Sequence, residues 1–138
     1  MQKGQISLEF IIAIVVALVV FGSISVVATS MIEMQKASSV RQQLDSVGNG
    51  LAAIISTSAV LDDADTALVS YSIPKIAVPG EKELQACNIS IDNETGTITL
   101  SYSAGMNAVV EKAFVNPSGM AITPESATCG GILIITKS

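Results

Sequence analysis

The stretch Lys3-Gly4-Gln5-Ile6-Ser7-Leu8-Glu9-Phe10 opens an uncharged run that continues to Ile32, broken only by Glu9 near its start. From Phe10 the run is about 23 residues long, and as a helix rising about 1.5 Å per residue it spans about 35 Å, enough for a bilayer core of about 30 Å. Glu9 is the unusual member, because an acidic side chain inside a membrane segment costs about 2.5 to 3.5 kcal/mol and is rarely kept without a partner. The sequence therefore predicts a membrane-spanning helix whose carboxylate needs a binding partner.

These residues resemble the class III signal peptide of archaeal type IV pilins. A short leader ends in Gly4, and the chain then follows a Gln-x-Ser-x-Glu-Phe pattern with Gln5, Ser7, Glu9 and Phe10. The resemblance covers about the first thirty residues and does not extend to the C-terminal half. It implies that a prepilin peptidase removes residues 1–4 at the cytoplasmic membrane. It also implies that the pilus assembly machinery polymerises the mature helix with copies of itself into the core of a cell-surface filament.

On this hypothesis the peptidase cuts between Gly4 and Gln5, where glycine leaves an extended backbone unobstructed. Ser7, Glu9 and Phe10 then belong to the assembly surface. The dipole at the new helix N-terminus favours the Glu9 carboxylate by about 0.3 to 1 kcal/mol, which is less than its insertion cost. We expect the α-amino group of Gln5 on a neighbouring subunit to supply the remainder. If Gln5 is cyclised it has no amine, and Ser7 or backbone N–H groups must donate hydrogen bonds to Glu9 instead.

Other kinds of protein have similar N-terminal stretches. A secretory signal peptide has an apolar region of only about 7 to 15 residues, although Val26-Val27-Ala28 resembles a small-residue cleavage site. A single-span membrane protein fits the hydropathy but leaves Glu9 and the Gly4-Gln5 junction unexplained. Archaeal flagellins share the leader, but the Ser-x-Glu-Phe start is the pilus form. Two alternatives to a main pilin stay open: a minor pilin or pseudopilin, and a membrane-anchored surface binding protein that keeps residues 1–4.

Composition argues against catalysis and against nucleic-acid binding. The chain has 138 residues, a formal charge of −5, few aromatic residues and no histidine. Nucleic-acid phosphates require a basic surface, and histidine is both the commonest general base and the commonest metal ligand. Three carboxylates, Asp62, Asp63 and Asp65, lie near the predicted helix end, where the helix dipole disfavours negative charge and a bound cation would relieve it. A solvated loop is the ordinary explanation, and no EF-hand spacing supports the cation. We predict a protein without enzymatic activity, cofactor or metal.

The helical period continues beyond Ile32 with an amphipathic pattern, so that one apolar stripe faces a partner. The stripe comprises Met34, Ala37, Val40, Leu44, Val47, Leu51 and Ile54. A helix over residues 5–62 is a rod of more than about 80 Å, which suits packing against copies of itself. Ala13 with Ala17, and Gly22 with Ser23 and Ser25, form small-residue faces for close helix packing. The triplet Gly48-Asn49-Gly50 predicts a kink, or a bend of the helix onto the globular domain, because glycine costs about 1 kcal/mol inside a helix.

From Asp65 onward the apolar period changes to two, which predicts half-buried strands over a domain spanning 66–138. The strands surround Val69 to Ile73, Cys87 to Ile91 and Ile98 to Tyr102, with a weaker one at 109–115. Pro74 should end the first strand, Pro79-Gly80 should form a turn, and 92–96 should form a hairpin loop. The continuous run 132–135 predicts a strand covered on both faces. The predicted fold class is α+β: a long N-terminal helix, apolar in its first half, followed by a small antiparallel β-rich domain.

Two further features concern covalent chemistry in this domain. Cys87 and Cys129 are the two cysteines, and in an exported domain such a pair indicates a disulfide, with buried free thiols as the alternative. Closing this loop stabilises a domain by about 4 kcal/mol in the chain-entropy model. Asn88-Ile89-Ser90 and Asn93-Glu94-Thr95 both match the N-glycosylation rule, whereas the proline of Asn116-Pro117-Ser118 excludes it. We expect Asn88 to be exposed on a strand and Asn93 at a hairpin tip.

Overall fold

The computed structural model of the protein describes residues 2–60, 68–115 and 120–137, with side chains from residue 7 to residue 136 within those ranges. The fold is α+β, as predicted: a long N-terminal helix is followed by small antiparallel sheets. The chain divides into two compact units, residues 1–35 and 36–138. The elements are α1 (Gln2–Val60), β1 (Leu68–Ser72), β2 (Asn88–Asp92), β3 (Thr97–Tyr102), β4 (Ala108–Ala113), β5 (Met120–Thr123), β6 (Ser126–Thr128) and β7 (Ile132–Lys137).

The first unit is the N-terminal part of α1. The helix begins at Gln2, so the Gly4-Gln5 junction lies in its first turns and not in the extended backbone that we expected there. Helix ends fray readily, because their first four N–H groups have no partner within the helix. A peptidase acting at this junction would therefore have to open only about one turn.

The second unit contains two antiparallel sheets. One has three strands in the order β1-β7-β5, and the other has four in the order β4-β3-β2-β6. Strands β1 to β4 lie where the period-two pattern predicts them, and β7 lies at the continuous apolar run 132–135. The hairpin turn between β2 and β3 and the turn at Pro79-Gly80 are also present. Strands β5 and β6 were not predicted. They have only 4 and 3 residues, too few to establish an alternating pattern.

The C-terminal part of α1 lies against these sheets and completes their core. Its buried stripe consists of Val40, Leu44, Val47, Leu51 and Ile55, which belong to one apolar cluster with the inward residues of both sheets. The predicted stripe differs at its two ends, since Met34 is 72% exposed and Ile55 is buried in preference to Ile54. The stripe between Val40 and Ile55 thus packs on the chain's own sheets, whereas the sequence pattern suggested copies of the helix as its partner.

The glycine triplet of α1 marks a close contact and not a break in the helix. The α-helix is continuous through Gly48-Asn49-Gly50. A Cβ atom added at Gly48 would lie 2.9 Å from Cγ of Lys112 and 3.0 Å from Cδ1 of Leu100. Gly48 therefore lets the helix backbone approach β3 and β4 more closely than any other residue would. Beside it, Nζ of Lys112 lies 2.7 Å from Oδ1 of Asp45.

A side chain of α1 also holds the long segment between β1 and β2. The Gln43 amide donates a hydrogen bond to the Ala77 carbonyl at 2.6 Å and accepts one from the Ala77 N–H at 2.7 Å. The amide group thereby satisfies both backbone groups of Ala77, as a neighbouring strand would. This pairing fixes a segment that makes only one isolated bridge of its own, between Ile76 and Gln85.

Strand β7 is covered on one face only, so the prediction of two covered faces is wrong. Leu133 and Ile135 are buried, but Ile132 is 59% and Ile134 is 37% exposed. Although β7 is the central strand of its sheet, hydrogen-bonded to β1 and β5, its outer face has no covering layer in the described residues. A continuous apolar run indicates a central strand and does not by itself determine how many layers cover it.

Candidate functional site

The apolar part of α1 presents its whole surface to the surroundings. Every side chain from Ser7 to Gln35 is exposed, including Leu18 at 66% and Phe21 at 69%. The helix is long and apolar enough to cross a membrane, with a mean hydropathy of 3.0 in its best window, and that window is 0% buried. Membrane anchors and signal sequences share these properties. So large an apolar surface requires either lipid or protein to cover it.

The four hydroxyl groups between residues 23 and 30 are satisfied within the helix. Each donates a hydrogen bond to a carbonyl of the preceding turn: Ser23 to Val19, Ser25 to Phe21, Thr29 to Val26 and Ser30 to Val27, at 2.8 to 2.9 Å. A polar group that already has a partner adds little to the cost of transfer from water. Within the described part of the apolar segment, the Glu9 carboxylate is therefore the group whose burial carries a large cost.

The predicted assembly residues lie in the first turns of α1. Ser7, Glu9 and Phe10 are exposed, and no described side chain bonds to Glu9. The helix determines which of these positions share a face, because residues two apart point in different directions and residues four apart point the same way. The Ser7 hydroxyl consequently cannot donate a hydrogen bond to the Glu9 carboxylate of the same chain. Positions 5 and 9 lie on one face. For Gly4 and Gln5 the structure describes the helical backbone alone.

Small residues give this helix places for close approach. A Cβ atom added at Gly22 would meet no other atom within 4 Å, so a neighbouring backbone has free access there. A shallow groove of about 380 Å³ begins at the next residue, lined by Ser23, Ile24, Val27, Ala28 and Met31. Of the small residues expected to form a narrow face, only Ser23 lines this groove, because the helical turn places Gly22 on the opposite side of the helix.

The disulfide between Cys87 and Cys129 is present, as predicted. Cys87 precedes β2 and Cys129 follows β6, with their Cα atoms 4.8 Å apart and both residues buried. The pair continues the β2–β6 ladder, in which Asn88 is paired with Thr128, and the Cys129 N–H donates to the Cys87 carbonyl. The bond therefore fastens the short strand β6, which the sequence pattern alone did not reveal.

The two glycosylation motifs lie in different environments. Asn88 is exposed on the outer face of β2, as expected. Asn93 is only half-buried at the hairpin and not fully exposed, because its side-chain amide donates to the Ile122 carbonyl of β5 at 3.4 Å. The sequence did not predict this difference, since β5 itself was not predicted.

Two charged groups have structural roles that sequence inspection did not assign. Hydrogen bonds from Thr95, its backbone N–H first, and from the Glu94 N–H hold the pKa of Asp92 below its ordinary value. The hydrogen bond from Lys112, and then its charge, lower the pKa of Asp45. Aspartate at the first position of a turn, three residues before Thr95, was the available signal for the first role. No local signal indicated the second, because Lys112 is distant in sequence.

The described residues contain no cluster suited to hold a metal ion. Within residues 2–60, 68–115 and 120–137, no three histidine, cysteine, aspartate or glutamate side chains are grouped to hold a metal ion. Asp62, Asp63 and Asp65 lie outside these ranges, as does the Asn116-Pro117-Ser118 triplet. Comparison of the chain with protein-family models, with curated proteins and with solved structures finds no match.

Proposed function

We propose that this chain is a structural subunit of a surface filament of the archaeal type IV pilus kind. The observation that carries the proposal is a fully exposed apolar helix with Glu9 near its start, in the same chain as a disulfide-linked β unit. In the precursor, lipid of the cytoplasmic membrane covers the helix. After removal of residues 1–4, copies of the helix replace the lipid, and the filament serves in surface adhesion.

Glu9 favours this function over a permanent membrane anchor. Lipid covers the apolar side chains but leaves the carboxylate unpaired, whereas a neighbouring chain brings an α-amino group. The insertion cost of about 2.5 to 3.5 kcal/mol, less the dipole contribution of about 0.3 to 1, leaves about 1.5 to 3 kcal/mol for pairing to relieve. Assembly thus gains free energy that lipid does not provide. Close helix packing at Gly22, and at the groove on the opposite side of the helix, adds to it.

The second candidate is a membrane-anchored surface binding protein. It is favoured by the apolar helix alone, which is sufficient in length and composition to span a membrane. Such a protein would keep residues 1–4 and remain in the membrane fraction as a single-chain anchor. A minor pilin would be processed in the same way as a main pilin but would be scarce in the filament.

The deciding experiment substitutes Glu9 in the cells that make the protein. Glu9→Ala should lower the yield of sheared filaments by about 10- to 100-fold. This factor corresponds to the loss of about 1.5 to 3 kcal/mol of pairing free energy, because about 1.4 kcal/mol changes an equilibrium constant tenfold. Export and cleavage should be unchanged. Glu33→Ala is the matched control, because it removes an exposed carboxylate of the same helix just beyond the apolar run.

Intact mass of the same material tests processing. The mature chain should begin at Gln5, and Gly4→Val should block cleavage. A chain that retains Met1 in the membrane fraction would favour the anchored binding protein. Filaments of wild-type yield from Glu9→Ala cells would contradict the assembly role of Glu9.

A further inference from the structure

The outer face of the four-stranded sheet is covered with short polar side chains. Its cross-strand pairs join Asn88 to Ser101 and Thr128, and Ser90 to Thr99 and Ser126. We call these six residues the hydroxyl face. With Pro124 and Ile132 they line an open groove of about 570 Å³, and among the described residues no charged or aromatic side chain lines it.

Asn88 is the one residue of this face that begins a glycosylation motif. In an extended strand, residues two apart point to the same side, so the hydroxyl of Ser90 accompanies the Asn88 amide on the outer face. Both side chains are exposed. The motif is thus displayed intact in the folded unit, and a sugar attached there needs no change in the backbone.

Asn93 begins the other motif, but its amide is already engaged. The amide nitrogen, which is the atom that a sugar would take, donates to the Ile122 carbonyl, and the residue is half-buried. A sugar at this nitrogen would have to displace the hydrogen bond between the hairpin and β5. The two motifs are equivalent in sequence, and the fold distinguishes them.

We propose that Asn88, and not Asn93, carries an N-linked oligosaccharide, with the groove beside it providing space for the first sugars. This inference uses only the part of the proposed function that places residues 36–138 outside the membrane. The co-reactant is an oligosaccharide esterified to a polyprenyl phosphate. The Asn88 amide nitrogen forms a bond to C1 of the first sugar, the bond from C1 to the phosphate oxygen breaks, the polyprenyl phosphate leaves, and the amide loses one proton. No oxidation or reduction occurs.

The groove suits a sugar chemically. Its serine and threonine hydroxyls both donate and accept hydrogen bonds, as sugar hydroxyls do. An attached sugar would also shield Ile132, which lines the groove and is 59% exposed. The exposed outer face of β7, unexplained by the rest of the described chain, would then be covered in part.

Mass spectrometry of the protein from the cells that make it tests the site. After reduction of the Cys87–Cys129 disulfide, trypsin releases Glu83 to Lys112 as one peptide containing both motifs, and electron-transfer fragmentation between Asn88 and Asn93 locates the added mass. We expect the sugar mass on Asn88 alone. Asn88→Gln and Ser90→Ala should abolish it, whereas Asn93→Gln and the hydroxyl-face control Ser101→Ala should retain it.

Protease accessibility of the second unit on intact cells separates the two proposals. An accessible unit with an unmodified Asn88, or with the sugar on Asn93, overturns the site and leaves the proposed function standing. An inaccessible unit in cells without sheared filaments overturns both. An accessible unit with the sugar on Asn88 supports the inference.

Discussion

Asp92 determines how the β2–β3 hairpin turns. Its Oδ1 accepts hydrogen bonds from the N–H groups of Glu94 at 2.9 Å and Thr95 at 3.0 Å. These donors face no strand partner, so the carboxylate satisfies groups that would otherwise require water. The turn then closes through Gly96, whose φ of +66° is in the left-handed region and whose Cβ position lies 2.5 Å from the Phe114 carbonyl. A short polar side chain and a glycine thus position both strands of the hairpin.

Stability should depend on pH through Asp92. Because its folded-state pKa lies below the ordinary 3.8, its contribution is fully present above 3.8 and is lost as the pH falls through the lower folded-state value. Asp92→Ala should therefore lower the Tm of the 36–138 unit at pH 7, and the difference from wild type should shrink below pH 3.8. Glu94→Gln in the same turn is the control. A Tm difference that stays constant down to pH 2 would contradict the role of Asp92.

Two glycines of α1, Gly48 and Gly50, have different steric surroundings where the helix packs on the sheets. Gly48 is buried against Leu100 and Lys112, whereas the Cβ position at Gly50 lies 3.6 Å from the Tyr71 hydroxyl, an ordinary contact distance. Helix propensity alone favours alanine at both positions by about 1 kcal/mol. Steric crowding opposes the substitution by alanine at Gly48 but not at Gly50, because crowding in a packed core costs about 1 to 3 kcal/mol.

Substitution of the two glycines should consequently have opposite signs. We expect Gly48→Ala to lower the free energy of unfolding by up to about 2 kcal/mol, since crowding exceeds the gain in propensity. Gly50→Ala should raise it by about 0.5 to 1 kcal/mol. Urea denaturation of both variants measures the difference. Equal stabilisation by both would mean that Gly48 is merely a weak point of the helix.

The whole chain combines two units with different requirements. Residues 36–138 bury a core of their own, which includes the stripe from Val40 to Ile55, and a disulfide closes it. Residues 7–35 bury none of their side chains in the single chain. One unit therefore has a core of its own, and the other leaves its apolar side chains for lipid or protein to cover.

Truncation should separate these requirements. A fragment of residues 36–138 should be a soluble monomer with cooperative unfolding. A fragment of residues 56–138 should fail to fold, because it lacks the buried stripe of α1, and losing a single core leucine to alanine already costs about 2 to 5 kcal/mol. Light scattering and near-ultraviolet circular dichroism distinguish the outcomes. A well-folded fragment of 56–138 would show that α1 is not part of the core.

Local patterns in the chain were sufficient for the fold class, the apolar helix, five strands, the hairpin and the cysteine pair, because periodicity and turn residues act over a few neighbours. The remaining features depend on contacts between distant residues. The stripe of α1 has the same pattern whether it packs on a sheet or on another helix, and Leu100 and Lys112 show that the partner is the sheet. Gly48 indicated a break by propensity, but tertiary packing makes it a contact. Asn88 and Asn93 carry the same motif, and only the hydrogen bond to Ile122 makes them chemically different.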